Sequence, residues 1–210
     1  MPAATVVLWR HGRTAYNQQQ RFQGQLDVPL DPLGERQVRA AAVELALLRP
    51  AALVASDLSR AVATAAALTA RTGLVARLDP ALREVDAGEW QGLAHDEITA
   101  RWPADHAAWR RGDDVRIGGG EKRSEMADRA AGAVERHAAE VADGQTLVVA
   151  AHGAALKGAL LQLLGLDLTA WTAVAGFRNA HWAVLRRRSR GWALEEYNVG
   201  PPGTGEGVEG

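Results

Sequence analysis

Val6, Val7, Leu8 and Trp9 form an unbroken apolar run with β-branched content, and the run halts at Arg10-His11-Gly12-Arg13. A short continuous apolar run bounded by polar residues predicts a strand buried on both faces, here Thr5 to Trp9. Gly24 to Pro32 then reads as a loop, and Asp31-Pro32 as a helix start, an N-cap oxygen followed by proline at the first helical position. The helix runs to about Leu48 with Val38, Ala42, Leu45 and Leu48 on one face, and Pro50 stops it. Ala52 to Ala55 is a second buried strand. Ser56-Asp57 offers an N-cap to an alanine-rich helix that ends at Gly73. Leu74 to Leu78 predicts a third strand.

From Ala81 to Gly120 the pattern is irregular, with Trp90, Trp102 and Trp109 among one or two short helices and long loops. Loops of that length in a compact domain are usually functional. A long helix is expected from about Glu121 to Val141, a fourth buried strand over Thr146 to Ala151, and an apolar helix over Ala154 to Leu164. Ala180 to Arg188 and Trp192 to Tyr197 form a closing hairpin. Strands alternating with helices predict a three-layer α/β/α domain with a mostly parallel central sheet, spanning residues 1 to 198. Residues 199 to 210, rich in Gly and Pro without apolar payload, read as a disordered tail.

Composition narrows the function classes. The chain has 210 residues, 47% hydrophobic and 23% charged, with a formal net charge of -1. Nothing global therefore draws it to nucleic acid or to an anionic membrane, and any anion site must be local. The absence of cysteine excludes a disulfide framework, thiolate metal sites and a cysteine nucleophile. No leader pattern and no spanning run is present, so the cytoplasm is the expected location. Oligomeric state stays open, a homodimer being one option.

Four places along the chain, holding five residues, share one topological location. Arg10 and His11 follow the first strand, Arg60 opens the helix after the second, Glu84 lies beyond the third, and His152 follows the fourth. Carboxyl ends of parallel strands converge on one crevice, so these residues can meet there. Arginines, histidines and a carboxylate are suited to phosphoryl transfer. Guanidinium groups take the equatorial oxygens, a ring nitrogen attacks, and an acid protonates the leaving oxygen. The helices beginning near Ser59-Arg60 and Gly153-Ala154 would aim their N-terminal dipoles at the same anion. Between the cations Arg10 and Arg13, His11 is expected to be neutral. Taken singly, Glu84 reads as a solvated charge, His152 as a histidine satisfied by a backbone partner, and Arg186 to Arg190 as a solvated edge. The segment Gly112 to Gly120 reads as mobile, and Trp90 and Trp109 as candidate pocket walls.

Arg10-His11-Gly12, with Thr14 and Asn17 after it, resembles the opening motif of the histidine phosphatase superfamily, the phosphoglycerate-mutase-like proteins. The likeness continues through Arg21 to Gly24, Asp27 to Leu30, Ser56 to Ala61, Leu82 to Gly92 and Ala151 to Gly153. Within the superfamily, Gly24 to Leu30, Arg71 to Asp79, Leu82 to Leu93 and Gly176 to Trp182 are most similar to glucosyl-3-phosphoglycerate phosphatases. The resemblance implies His11 as a nucleophile that becomes phosphohistidine, with Arg10, Arg60 and His152 holding the phosphoryl oxygens and Glu84 as the acid. It places Asn17, Gln23, Gly24 and Gly153 beside the phosphate or the leaving group, and it implies neither metal nor cofactor. The implied partner is a small phosphorylated metabolite. A phosphoglycerate mutase would use the same residues, and a non-catalytic phosphate-binding module would keep the fold. One departure stands out: relatives often carry Gly-Gly-Glu-Ser before the long helix, whereas here Gly119-Gly120-Glu121 is followed by Lys122-Arg123-Ser124.

Overall fold

A computed structural model describes residues 5–201. Six strands, β1 (Thr5–Arg10), β2 (Ala52–Ala55), β3 (Arg77–Leu78), β4 (Thr146–Ala151), β5 (Trp182–Arg188) and β6 (Gly191–Val199), form one sheet in the order β3-β2-β4-β1-β5-β6. The first four are mutually parallel, and β5 and β6 add an antiparallel edge. Seven α-helices accompany them: α1 (Ala15–Gln18), α2 (Pro32–Leu47), α3 (Ser59–Thr72), α4 (His95–Arg101), α5 (Pro103–Arg111), α6 (Arg123–Ala139) and α7 (Gly153–Leu163). The expected layered α/β architecture is therefore observed. The last strand takes in Val199, and residues 202 to 210 of the expected tail lie outside the described residues.

The unbroken apolar run of β1 is explained by its two covered faces. Val6 and Leu8 pack into the cluster that holds Met126, Val134, Leu156 and Leu160 of α6 and α7. Val7 and Trp9 enter the opposite cluster, with Val38, Leu45, Ala65 and Leu68 of α2 and α3. Successive side chains of a strand point to opposite faces, so a strand between two helical layers must be apolar at every position. Burying each such side chain contributes about 1.5–3 kcal/mol, and a charge at Leu8 would break this layer.

Several elements depart from the pattern-based expectations. The third strand shrinks to two residues because it pairs only with Val54 and Ala55 of the short β2, leaving Val75 exposed. α3 begins at Ser59, and its N-cap is Leu58, which has no oxygen to offer. Ser56 and Asp57 do not cap it: Ser56 contacts His152 and Asp57 is held by a bidentate pair with Arg83. The acceptor comes from elsewhere, as Asp27 Oδ1 receives the Ser59 N–H at 2.7 Å. By contrast, Asp31 caps α2 as expected, accepting from Gly34 N at 2.7 Å with Pro32 at the first position.

The irregular region resolves into α4, α5 and short 3-10 turns around an apolar cluster of Trp90, Ile98 and Ile117, flanked by the aromatic rings of Phe22, Trp102 and Trp109. Segment 112–120, expected to be mobile, is tied down at several points. Ile117 is buried, Glu121 N donates to Asp86 O at 2.8 Å, and Ser124 binds Asp114. Its glycines permit a close crossing of two backbones, since a Cβ on Gly88 would sit 1.9 Å from Gly118 O.

Candidate active site

The β1–β4 register builds the centre of the site. Arg10 is paired with Ala151, and His11 N donates to Ala151 O at 3.0 Å. The residues that follow the two strands, His11 and His152, are thereby set side by side, with ring centroids 5.2 Å apart. Ser56 N donates to Ala150 O, so the end of β2 reaches the same level. Gly12 allows the chain to leave the sheet here, because a Cβ at that position would lie 2.4 Å from Gly34 O of α2.

His11 is 2% exposed, and its Nδ1 lies 2.7 Å from Gly12 O. A carbonyl only accepts, so Nδ1 carries the proton and Nε2 keeps its lone pair. Burial, then the charges of Arg60 and Arg10, hold the His11 pKa well below the ordinary imidazole value. The sequence assigned the second cation to Arg13; in the fold Arg13 turns away and pairs with Asp31 at 2.7 Å. Its place is taken by Arg60, fully buried at the second position of α3.

Arg60 is locked by three acceptors: Leu26 O at 2.7 Å, Gly24 O at 2.8 Å and His152 Nδ1 at 3.2 Å. Burial pulls its pKa down to about 10, which leaves it charged at neutral pH. His152 Nε2 meets Ser56 Oγ at 2.8 Å. With Nδ1 accepting from Arg60, the proton sits on Nε2, and burial, with Arg60, depresses the pKa of this histidine too. Arg10 reaches the Phe177 carbonyl.

Glu84 accepts three backbone N–H groups, from Val85, Ala154 and Ala155, each at 3.0 Å. The expectation that both helix N-termini would face the substrate anion is thus corrected. The α7 terminus is occupied by the Glu84 carboxylate and the α3 terminus by Asp27, so cationic side chains are left to meet an incoming anion. Glu84 itself is steadied from behind, since Arg129 binds its carbonyl and forms a two-oxygen pair with Glu121.

Arg10, His11, Asn17, Gln23, Gly24, Arg60 and Glu84 line one cavity of about 400 Å³. Asn17 Oδ1 receives Thr14 N at 3.1 Å and Gln23 Oε1 lies 2.9 Å from Thr14 Oγ1, which leaves the amide NH2 groups as donors to a bound oxyanion. Gly153 packs beside the Arg10 guanidinium, where a Cβ would approach Nε to 3.3 Å. Trp109 forms cavity wall, whereas Trp90 is fully buried beneath it. Sequence reasoning missed Ser56 as the partner of His152. It also missed Asn179, whose side chain donates to His11 O and Asn17 Oδ1, both at 3.2 Å. No local signal marks either residue, since their partners are 96 and 168 positions away.

The chain matches the histidine phosphatase superfamily (branch 1) across residues 6–200. It is 39% identical to a glucosyl-3-phosphoglycerate phosphatase of Mycolicibacterium vanbaalenii, covering 95% of this chain and 96% of that protein. The corresponding Mycobacterium tuberculosis protein is 42% identical, over 88% and 86% of the two chains. Among solved structures, a mycobacterial glucosyl-3-phosphoglycerate phosphatase with VO3 superimposes with a TM-score of 0.88 at 39% identity, over 93% of this chain and 99% of that one. The chain belongs to the histidine phosphatase superfamily and is a phosphoric monoester hydrolase that acts on a phosphorylated small metabolite.

Proposed function

We propose that the chain hydrolyses glucosyl-3-phosphoglycerate, or a closely related glycerate phosphate, through a phosphohistidine on His11. The observation that carries the mechanism is the orientation of His11: its Nδ1 is bound to Gly12 O, so Nε2 is the nitrogen left for attack on phosphorus. The mycobacterial relatives support the substrate assignment.

In the first step Nε2 bonds to phosphorus as the bond to the alcohol oxygen breaks, and Glu84 supplies the proton to that oxygen. Arg10 and Arg60 face the charge that spreads over the equatorial oxygens, His152 stands behind them holding Arg60 in place, and Asn17, Gln23 and Gly24 lie at the rim. Because Arg60 and His152 already hold each other, the clamp is set before substrate arrives, and little reorganisation accompanies the reaction. In the second step water attacks phosphorus, Glu84 takes its proton, the phosphorus–nitrogen bond breaks, and His11 is restored. Gly153 acts at one remove, by leaving room for Arg10.

Phosphate release is to be compared across glucosyl-3-phosphoglycerate, 3-phosphoglycerate, phosphoserine, α-ribazole phosphate and sugar phosphates, with glucosyl-3-phosphoglycerate expected to have the highest kcat/KM. Alkaline quenching during turnover should retain label on His11, and His11→Ala should abolish turnover. Label on another residue would overturn the mechanism. Interconversion of 2- and 3-phosphoglycerate without phosphate release would overturn the hydrolytic reading in favour of a mutase.

A further inference from the structure

The cavity continues away from His11 toward Trp109, Glu121, Arg123 and Trp171, and this far end has no part in the chemistry described above. Arg123 opens α6 and is 6% exposed. A cation at a helix N-terminus opposes the macrodipole, and a buried one is costly unless its charge is met. Its direct contacts are all with neutral groups, while the Asp113 and Asp114 carboxylates act on it without touching it. Nη1 donates to Asp113 O at 2.8 Å, Nη2 to Trp109 O at 2.5 Å, and the guanidinium lies over the indoles of Trp109 and Trp171. Its Nε has no acceptor, and no carboxylate among the described residues forms an ion pair with it. The other charges at this end are accounted for: Arg21 is paired with Glu97, and Glu121 with Arg129.

Lys157 of α7 adds a second buried cation. Its Nζ lies 4.5 Å from the Trp171 centroid, on an indole it shares with Arg123. Burial, then the Arg123 charge, lowers the Lys157 pKa to about 8. Asp113 is paired with Arg111 and Asp114 is held by Ser124, so two cations around one indole, neither in an ion pair among the described residues, raise the potential at this end of the cavity.

We infer that Arg123, backed by Lys157, receives a carboxylate carried by the alcohol half of the substrate. The inference deepens the proposed phosphatase reading and rests on it. The cavity is then bipolar: the phosphoryl group binds at Arg10 and Arg60, and a second anion at Arg123 fixes the distance and direction of the ester oxygen between them. Of five guanidinium N–H donors only two are used internally, so donors remain for an oxyanion after a small side-chain adjustment. Lys122-Arg123-Ser124, the departure from the family pattern, thus becomes a specificity feature.

The test compares monoesters that differ at the carboxylate. Wild-type enzyme should have at least a tenfold higher kcat/KM for 3-phosphoglycerate than for glycerol 3-phosphate, and free D-glycerate should compete at least tenfold better than glycerol. Arg123→Met should reduce the 3-phosphoglycerate to glycerol 3-phosphate ratio by about 10- to 100-fold, and Arg123→Lys should recover part of it. Lys157→Met, which leaves the loop contacts of Arg123 intact, should lower the ratio by about threefold, the size of a charge acting without contact. An unchanged ratio in these variants, or a wild-type enzyme indifferent to the carboxylate while still forming phosphohistidine, would overturn the inference and leave the phosphatase reading standing. Failure of the wild type to release phosphate from any monoester, p-nitrophenyl phosphate included, would overturn both.

Discussion

Arg60 Nε donates to His152 Nδ1 at 3.2 Å, joining the start of α3 to the end of β4 across 92 positions of sequence. The same guanidinium holds the carbonyls of Gly24 and Leu26, so one side chain sets the second histidine and the loop facing it.

Arg60→Lys should therefore remove more than its unchanged charge suggests. A lysine ammonium has no planar fork and does not reach three acceptors in these directions. Loss of one preorganised oxyanion donor costs about 10²- to 10³-fold in kcat, and a fall of that order is expected in kcat/KM with p-nitrophenyl phosphate. A variant within threefold of wild type would show that charge alone suffices.

His11 and His152, the two histidines of the site, make stability depend on pH. Both have folded-state pKa values well below the ordinary imidazole value, chiefly through burial and then through neighbouring guanidinium charge. In the unfolded chain each titrates near about 6.5. Between the folded values and about 6.5 the unfolded state binds more protons, so stability is full above that range and falls as pH drops through it, levelling off below the folded values. The slope from each histidine is at most about 1.4 kcal/mol per pH unit. Urea unfolding at pH 7.5 and 5.5 should show this loss, and His152→Asn should make it shallower. An equally steep dependence in the variant would assign the protons elsewhere.

Glu84→Gln should damage catalysis in proportion to how poor the leaving group is. An alkoxide needs a proton in the transition state, help worth about 10²- to 10⁴-fold, whereas nitrophenolate needs far less. Equal losses on a glycerate phosphate and on p-nitrophenyl phosphate would mean that Glu84 serves positioning or the water step alone.

Activity should survive excess EDTA and should not rise with magnesium. Among the described residues no group of three or more His, Asp or Glu side chains is arranged to hold a metal ion, and Arg10 and Arg60 already oppose the phosphoryl charge. Recovery of a chelated, inactive enzyme by added metal would refute this.

Alternation of apolar and polar segments was enough to determine the layered fold, because a strand covered on both faces must be apolar throughout and a helix covered on one face must show its period. Sequence also placed Arg10, His11, Arg60, Glu84 and His152 after strands, and five ordered motif blocks pointed to the family. What it left undecided were partners distant along the chain. Arg13 is nearer to His11 in sequence than Arg60 is, yet it pairs with Asp31, while Arg60 arrives from another helix. The α7 terminus reads as an anion site until Glu84 is found on its N–H groups. Arg123 is in sequence only a departure from the family pattern, and its place against Trp109 and Trp171 comes from the packing of α6. Local patterns are set by the period of the backbone and the burial of side chains, which each segment carries itself. Which charge meets which is set by strand register and helix packing, and these exist only when the chain is folded.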